Sequence, residues 1–367
     1  MINIKQVKMI LVIALLVGIL GASLAHGETS NEHIQYKKAR AIILEVQEEQ
    51  EGQLVVQWAK ARVMNGPLKG HIIQLKHPLI KGSKYHIELE ENMRIFLELR
   101  VEENRVTSAN FIDVTKEHHL KILLAIFVTL LLIFGGFKGL RSFIALVITG
   151  LCMLYIFIPM VFNGYSFILA TVVVSGIIIV SSFILISGFT TKSLTAIIGT
   201  IGGTTISGVI AIYFGNLMYL TGITDDAIET LIRHSTLDVD YRGLLYSGMT
   251  IGALGAVMDV SMTITSVIYE IKRGNRQVRI KSLVLSGLAV GRDIMATMTN
   301  TLILAYAGTS LPLLLLFIFS EMPLEDIINS QYIASEVVRA LSGSIGLVLT
   351  IPITSVVAAI NIKWAKE

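Results

Sequence analysis

Apolar and polar positions follow three successive patterns along this chain, and each predicts a different kind of structure. Lys5 and Lys8 stand ahead of a short apolar run, residues 9–20, which ends near Ser23 and Ala25. This is the layout of a secretory signal peptide with cleavage after Ala25, and an uncleaved anchor has the same charge pattern. Residues 1–25 are one or the other, and either sends the next segment of the chain across a membrane.

Over residues 26–117 apolar side chains recur at every second position, the period of a strand with one face buried. Six strands are predicted, at 39–46, 54–64, 71–75, 85–90, 94–101 and 105–114, with turn chemistry between them in Asn65-Gly66-Pro67 and Lys81-Gly82-Ser83. Short strands so close together suggest a small closed or partly closed barrel of the OB-like kind, since closure protects strand edges.

After His118 and His119 the pattern changes again, to apolar runs near the ~20 residues that cross a ~30 Å hydrocarbon core. Spans are predicted at 120–137, 142–162, 166–187, 194–220, 244–269, 296–319 and 338–362. The expected fold class is an α-helical integral membrane protein, with about seven transmembrane helices in 118–367 and a small β-barrel-like domain in 26–117.

Composition agrees: 53% of residues are apolar, 16% are charged, and the mean hydropathy is +0.70, which excludes an ordinary soluble globule. A single cysteine, Cys152, excludes a disulfide framework or a cysteine-ligated zinc site within one chain. The net charge of +3 is modest, and its basic residues fall in short runs between apolar segments, which points to membrane orientation and not to nucleic acid. Lys138 and Arg141, Lys192, the run Lys272, Arg273, Arg276, Arg279 and Lys281, and the tail Lys363 and Lys366 would share one face, the cytoplasm by the positive-inside rule. Asp225, Asp226, Glu229, Asp238, Asp240, Glu321, Glu325 and Asp326 would lie opposite. The β-rich domain is then extracytoplasmic, as the N-terminal segment independently requires.

Charged groups within a spanning segment cost several kcal/mol unless they meet water or a partner, so they are the first candidates for function. Asp259 lies about 12 residues into the fifth span, roughly 18 Å deep. Arg292 and Asp293 lie roughly 15 and 17 Å along a helix that starts at Ser282. Similar depths allow an Asp259–Arg292 ion pair, with Asp293 left to take a proton or cation. The 37 apolar-rich residues 283–319 would measure ~55 Å as one helix, so a break is required. If 283–295 is interfacial or re-entrant, Arg292 and Asp293 become an ordinary snorkelling pair. Asp293, Thr297, Asn300 and Thr301 share one helix face in either case.

Glycines form the other pattern: Gly199 and Gly203, then Gly248, Gly252 and Gly255. Small residues four apart allow close helix packing, and the alternative is a broken helix whose free backbone binds an ion or substrate. His71, His77, His86, His118 and His119 have no tight ligand spacing, so no metal site is expected. Without an HExxH, GxSxG or phosphate-cradling GxxxxGK[ST] motif, neither enzyme activity nor a cofactor is expected.

Two long segments, Gly252-Ala253-Leu254-Gly255-Ala256-Val257-Met258-Asp259-Val260-Ser261-Met262 and Gly291-Arg292-Asp293-Ile294-Met295-Ala296-Thr297-Met298-Thr299-Asn300-Thr301-Leu302-Ile303-Leu304-Ala305-Tyr306, resemble the signature segments of the YibE/F-like family of bacterial multi-pass membrane proteins. The order of segments resembles the family's over essentially the whole chain. The resemblance implies a bacterial cytoplasmic membrane and little biochemistry, because members are described as being of unknown function. The leading expectation is a permease-like protein, an ion- or proton-linked transporter, with Asp259, Arg292, Asp293 and Asn300 as its charged centre. The competing expectation is a non-transporting assembly or sensory protein whose β-domain binds an envelope partner. Expected partners are the bilayer, a small ion or small-molecule substrate, and such an envelope protein.

Overall fold

The computed structural model describes residues 34–51, 54–66, 68–80, 87–102, 105–224, 226–234 and 239–364. The N-terminal segment 1–25, His86, Asp225, Asp238 and Lys366 lie outside them. The chain forms two compact units, one within Ala25–Ile133 and one within Phe134–Glu367.

The first unit is an antiparallel half-barrel. Strand β1 (Ile34–Glu51) is central and pairs with β2 (Leu54–Val63) on one side and β4 (Arg94–Glu102) on the other. The edges are β3 (Ile72–Ile80) and β5 (Arg105–Val114), giving the order β3-β2-β1-β4-β5. Alternate residues point inward, and many are small: Ala39, Ala41 and Ile43 of β1 face Ala59, Ala61 and Val63 of β2, with Leu75, Ile95, Leu97 and Leu99 closing the core. Register slips at Ile43/Glu45 and Phe96/Leu97 bend the strands. The edges approach where His77 of β3 meets Phe111 of β5 edge-on, ring centroids 4.8 Å apart.

Five of the six predicted strands are present. The exception is 85–90, whose described part, 87–90, forms no regular structure and joins no ladder. Its place is taken by a side chain. Gln57, 2% exposed, accepts the Leu89 N–H at 2.8 Å and donates to the Leu89 carbonyl at 3.4 Å, so one amide group does what a neighbouring strand would do. The alternation of Ile87 and Leu89 signalled burial correctly but not the partner.

The second unit is helical. Helix α1 (Glu117–Cys152) starts in the first unit and continues through a π turn, Met153–Phe157, into α2 (Ile158–Phe162). Then come α3 (Phe167–Ser187), α4 (Thr191–Leu217), α5 (Asp226–His234), α6 (Tyr241–Gly274), α7 (Ile280–Thr309), α8 (Leu311–Phe319), α9 (Leu324–Asn329) and α10 (Gln331–Trp364). Among the described residues five helices are long and apolar enough to cross a membrane, or six if α7 and α8 count as one bent span. Seven were expected. The difference arises at 120–137 and 142–162, which form one helical stretch, Glu117–Phe162, interrupted at Gly136, where φ is 50° and ψ is −134°.

The required break in 283–319 falls at Ser310, with a 55° bend between α7 and α8. Pro312, in the first turn of α8, lacks the N–H that would continue the helix. Residues 283–295 and 296–309 therefore belong to one helix, and the predicted span 296–319 begins inside it.

The centre of the bundle is a seam between α4 and α10. A Cβ on Gly199 would collide with Thr354 Oγ1, and one on Gly203 with Thr350 Oγ1; a Cβ on Gly346 would lie 2.6 Å from the Ser207 Cβ. Contact pairs step by four residues on both helices in opposite directions, so small residues line the antiparallel seam. Helix α4 runs unbroken through its glycines. The Thr354 hydroxyl reaches Ser261 of α6 at 3.4 Å, and Thr195 joins Asn361 of α10 (3.0 Å) and Tyr269 of α6 (3.3 Å).

Candidate functional site: a polar face on α6 and α7

Helices α6 and α7 are antiparallel neighbours joined through the basic turn around Arg276. Their register is marked by Gly287, where a Cβ would lie 2.7 Å from the Ile268 Cδ1. Asp259 lies roughly 22 Å along α6 from its C-terminal end and Arg292 roughly 18 Å along α7 from its start, so both are far from the helix ends.

Asp259, Arg292, Asp293 and Asn300 are all exposed on these helices. Among the described residues no ion pair or hydrogen bond joins Asp259 to Arg292, and the hydroxyls nearby turn inward to their own backbones. Thr263 donates to the Asp259 carbonyl at 2.8 Å, Thr297 to that of Ile294 at 2.9 Å and Thr301 to that of Thr297 at 2.8 Å. Hydroxyls spent in this way leave the carboxylates and the guanidinium as the groups that face outward. Gly248 and Gly255 have nothing within 4 Å of an added Cβ, so this side of α6 borders open space, unlike Gly199 and Gly203 in the seam.

About two turns from Asp259 along α6 is a cluster that the sequence reading did not single out. Arg339 of α10 pairs with Glu336 at 2.7 Å, with side chains only 24% and 21% exposed. The Arg339 guanidinium lies 5.9 Å from the Tyr306 ring centroid, a cation–π geometry, and the Tyr306 hydroxyl reaches Gly252. The available signal was an acid and a base three residues apart beside an apolar run. Starting the last span at 338 put Glu336 in a loop and separated the pair.

Asp259, the Gly252–Tyr306 contact and the Arg339–Glu336 pair thus form a polar track on three helices. It offers carboxylates, a guanidinium and a phenol, groups able to bind an ion or pass a proton. Among the described residues no group of three His, Cys, Asp or Glu side chains could hold a metal ion.

The track lies wholly within the part of the chain that matches a known family, residues 123–364, whose members are described as YibE/F-like proteins. The chain belongs to the YibE/F-like family. That match contains Asp259, Arg292, Tyr306, Glu336 and Arg339, whereas strands β1–β5 precede it. No curated protein and no solved structure matches the chain.

Proposed function

We propose that this YibE/F-like protein is a permease of a bacterial cytoplasmic membrane that moves a small ion or proton-coupled solute along the polar face of α6 and α7. The observation that carries the reading is the outward exposure of Asp259, Arg292, Asp293 and Asn300 on membrane-spanning helices. Such groups cost several kcal/mol against lipid, and a hydrated path removes that cost. Asp259 is the proton or cation acceptor, and the Arg339–Glu336 pair with Tyr306 lines the same path farther along.

The orientation has the half-barrel outside and the C-terminus in the cytoplasm. Glu117–Phe162 is 46 residues, or ~69 Å of helix, more than twice a ~30 Å core. Two crossings that separate at Gly136, with α7 and α8 as one bent crossing, give seven. Lys138, Arg141, Lys192 and the Lys272–Lys281 run then all face the cytoplasm, whereas a single crossing by Glu117–Phe162 would put Lys192 and that run outside with the half-barrel and leave Lys138 and Arg141 within the span. Reconstitution into liposomes under an imposed proton or cation gradient tests the reading. Wild-type flux that disappears in Asp259→Asn with the fold retained supports it; equal flux in wild type, variant and empty liposomes rejects it.

A further inference from the structure

The half-barrel contains a pocket of about 290 Å³ where β1, β4 and the start of α1 converge. Three cations line it, Arg40, Arg94 and Lys121, against one carboxylate, Glu117. Glu117 is shared, 2.9 Å from the Arg40 guanidinium and 2.6 Å from Lys121 Nζ. Arg94 has no ion pair among the described residues, so positive charge is left over.

The donors are also held in place. The Arg40 backbone N–H donates to Asn65 Oδ1 at 2.6 Å, and its guanidinium lies 5.8 Å from the Phe96 ring centroid. The Thr115 N–H donates to the Arg94 carbonyl at 2.8 Å, which fixes the strand end beside the pocket. Thr115 lines the pocket, is 9% exposed, and its hydroxyl is buried without a partner among the described residues. Leaving a buried hydroxyl unpaired is unfavourable, and a ligand oxygen would offset that cost. The N-terminus of α1 adds first-turn N–H groups without helical acceptors and the positive end of the helix dipole.

Surplus cations, an orphan hydroxyl and a helix N-terminus fit a compact oxyanion with several acceptor oxygens, which describes a phosphate. Leu120, Leu123, Leu124 and Phe127 come next on the same helix and are exposed. Where such a helix enters a bilayer, its first turn stands at the depth of lipid phosphates. Simple snorkelling accounts for Lys121 but not for Arg40 and Arg94, which come from two strands. We propose that this pocket binds a phosphate group, supplied by the headgroup of an anionic phospholipid.

The test uses the full-length protein in a neutral detergent, titrated in separate arms with short-chain phosphatidylglycerol, short-chain phosphatidylcholine and inorganic phosphate, with melting temperature and direct binding as readouts. Phosphatidylglycerol should bind best, and Arg94→Gln should weaken it about tenfold, the loss of one charge-assisted contact. Thr115→Val should weaken it a few-fold while leaving the unliganded melting temperature unchanged or higher, a split that a purely structural hydroxyl would not produce. Arg62→Gln, on an exposed strand position outside the pocket, should change nothing. If inorganic phosphate binds with the same dependence on Arg94 and phosphatidylglycerol does not, the lipid source is overturned. Affinities equal in wild type and Arg94→Gln, or no binding in any arm, overturn the site.

Discussion

The Tyr306 hydroxyl occupies the space where a side chain on Gly252 would begin: a Cβ there would lie 2.6 Å from the phenolic oxygen. Since the same ring faces the Arg339 guanidinium, this contact couples α6, α7 and α10 at one level of the bundle. Gly252→Ala should push the ring away and cost about 1–3 kcal/mol, the usual penalty for overpacking. Tyr306→Phe removes the clashing oxygen, so the double variant should recover part of the loss. A double-mutant cycle on thermal unfolding in detergent measures this coupling, and additive losses would contradict it.

The glycines of α4 and α6 should respond in opposite ways. Gly203→Ala must displace Thr350 and Val257, and a loss of at least about 2 kcal/mol is expected. Gly255→Ala meets nothing and removes a flexible residue from a helix, so it should be neutral or stabilising by up to about 1 kcal/mol. Melting temperatures of the two variants check the contrast.

In the half-barrel, Gln57→Leu should leave the Leu89 N–H and carbonyl unpaired, costing about 1–3 kcal/mol. Hydrogen exchange at the Leu89 amide should accelerate along with the loss of stability. Unchanged exchange would mean that the segment is held by other contacts.

Acid should weaken the half-barrel. The hydrogen bond from Lys60 lowers the Glu45 carboxyl below its ordinary range, helped by Gln47, and the Lys116 hydrogen bond lowers Asp113, helped by the Val114 N–H. A carboxyl whose folded pKa is depressed contributes stability that is fully present above its unfolded value and is lost as pH falls through the folded one. Stability should therefore hold near neutrality and decline below about pH 4.5, where unfolded carboxyls begin to take up protons. Glu45→Gln combined with Asp113→Asn should flatten that decline in unfolding curves taken across the range. Both carboxylates are exposed, so the effect should shrink as salt is added.

Topology is checked by single cysteines in a Cys152→Ser background. Arg276→Cys should react with a membrane-impermeant thiol reagent only after the membrane is opened, whereas Glu325→Cys should react from outside intact cells. Labelling of Arg276→Cys from outside would reverse the orientation.

Period-two alternation revealed β2, β4 and β5 nearly to the residue, because each buries one face. It shortened β1 to 39–46, since the first part of that strand is held by pairing with β4 alone and its last part, with Glu48 and Glu49, by pairing with β2 alone, instead of by an alternating apolar face. Apolar run length found apolar helical segments, yet it could not tell a charged loop from the kink at Gly136 that takes its place beside Lys138. The break at Ser310 was legible in Pro312, which the reading of 296–319 passed over. For the polar face, the distance of Asp259 from the ends of its helix was legible in its position along the apolar run. Facing was not, because whether Asp259 meets Arg292 or open space depends on how α6 and α7 are rotated about their axes, which run length does not encode.

The α4–α10 seam has a mechanical consequence. Gly199 opposes Thr354, Gly203 opposes Thr350 and Ser207 opposes Gly346, each pair one turn from the next. If α10 slid past α4 by a single turn, ~5.4 Å, Gly199 would oppose Thr350, Gly203 would oppose Gly346 and Ser207 would oppose Ser342. Slid the other way, Gly199 would oppose Ala358 and Gly203 would oppose Thr354. Yet Ile353 stands against Gly202 on the same seam, and Ile351 fills the place of a side chain on Gly291 of α7, so either step would drive a branched side chain off the glycine it fits and the seam is a latch with a single stop.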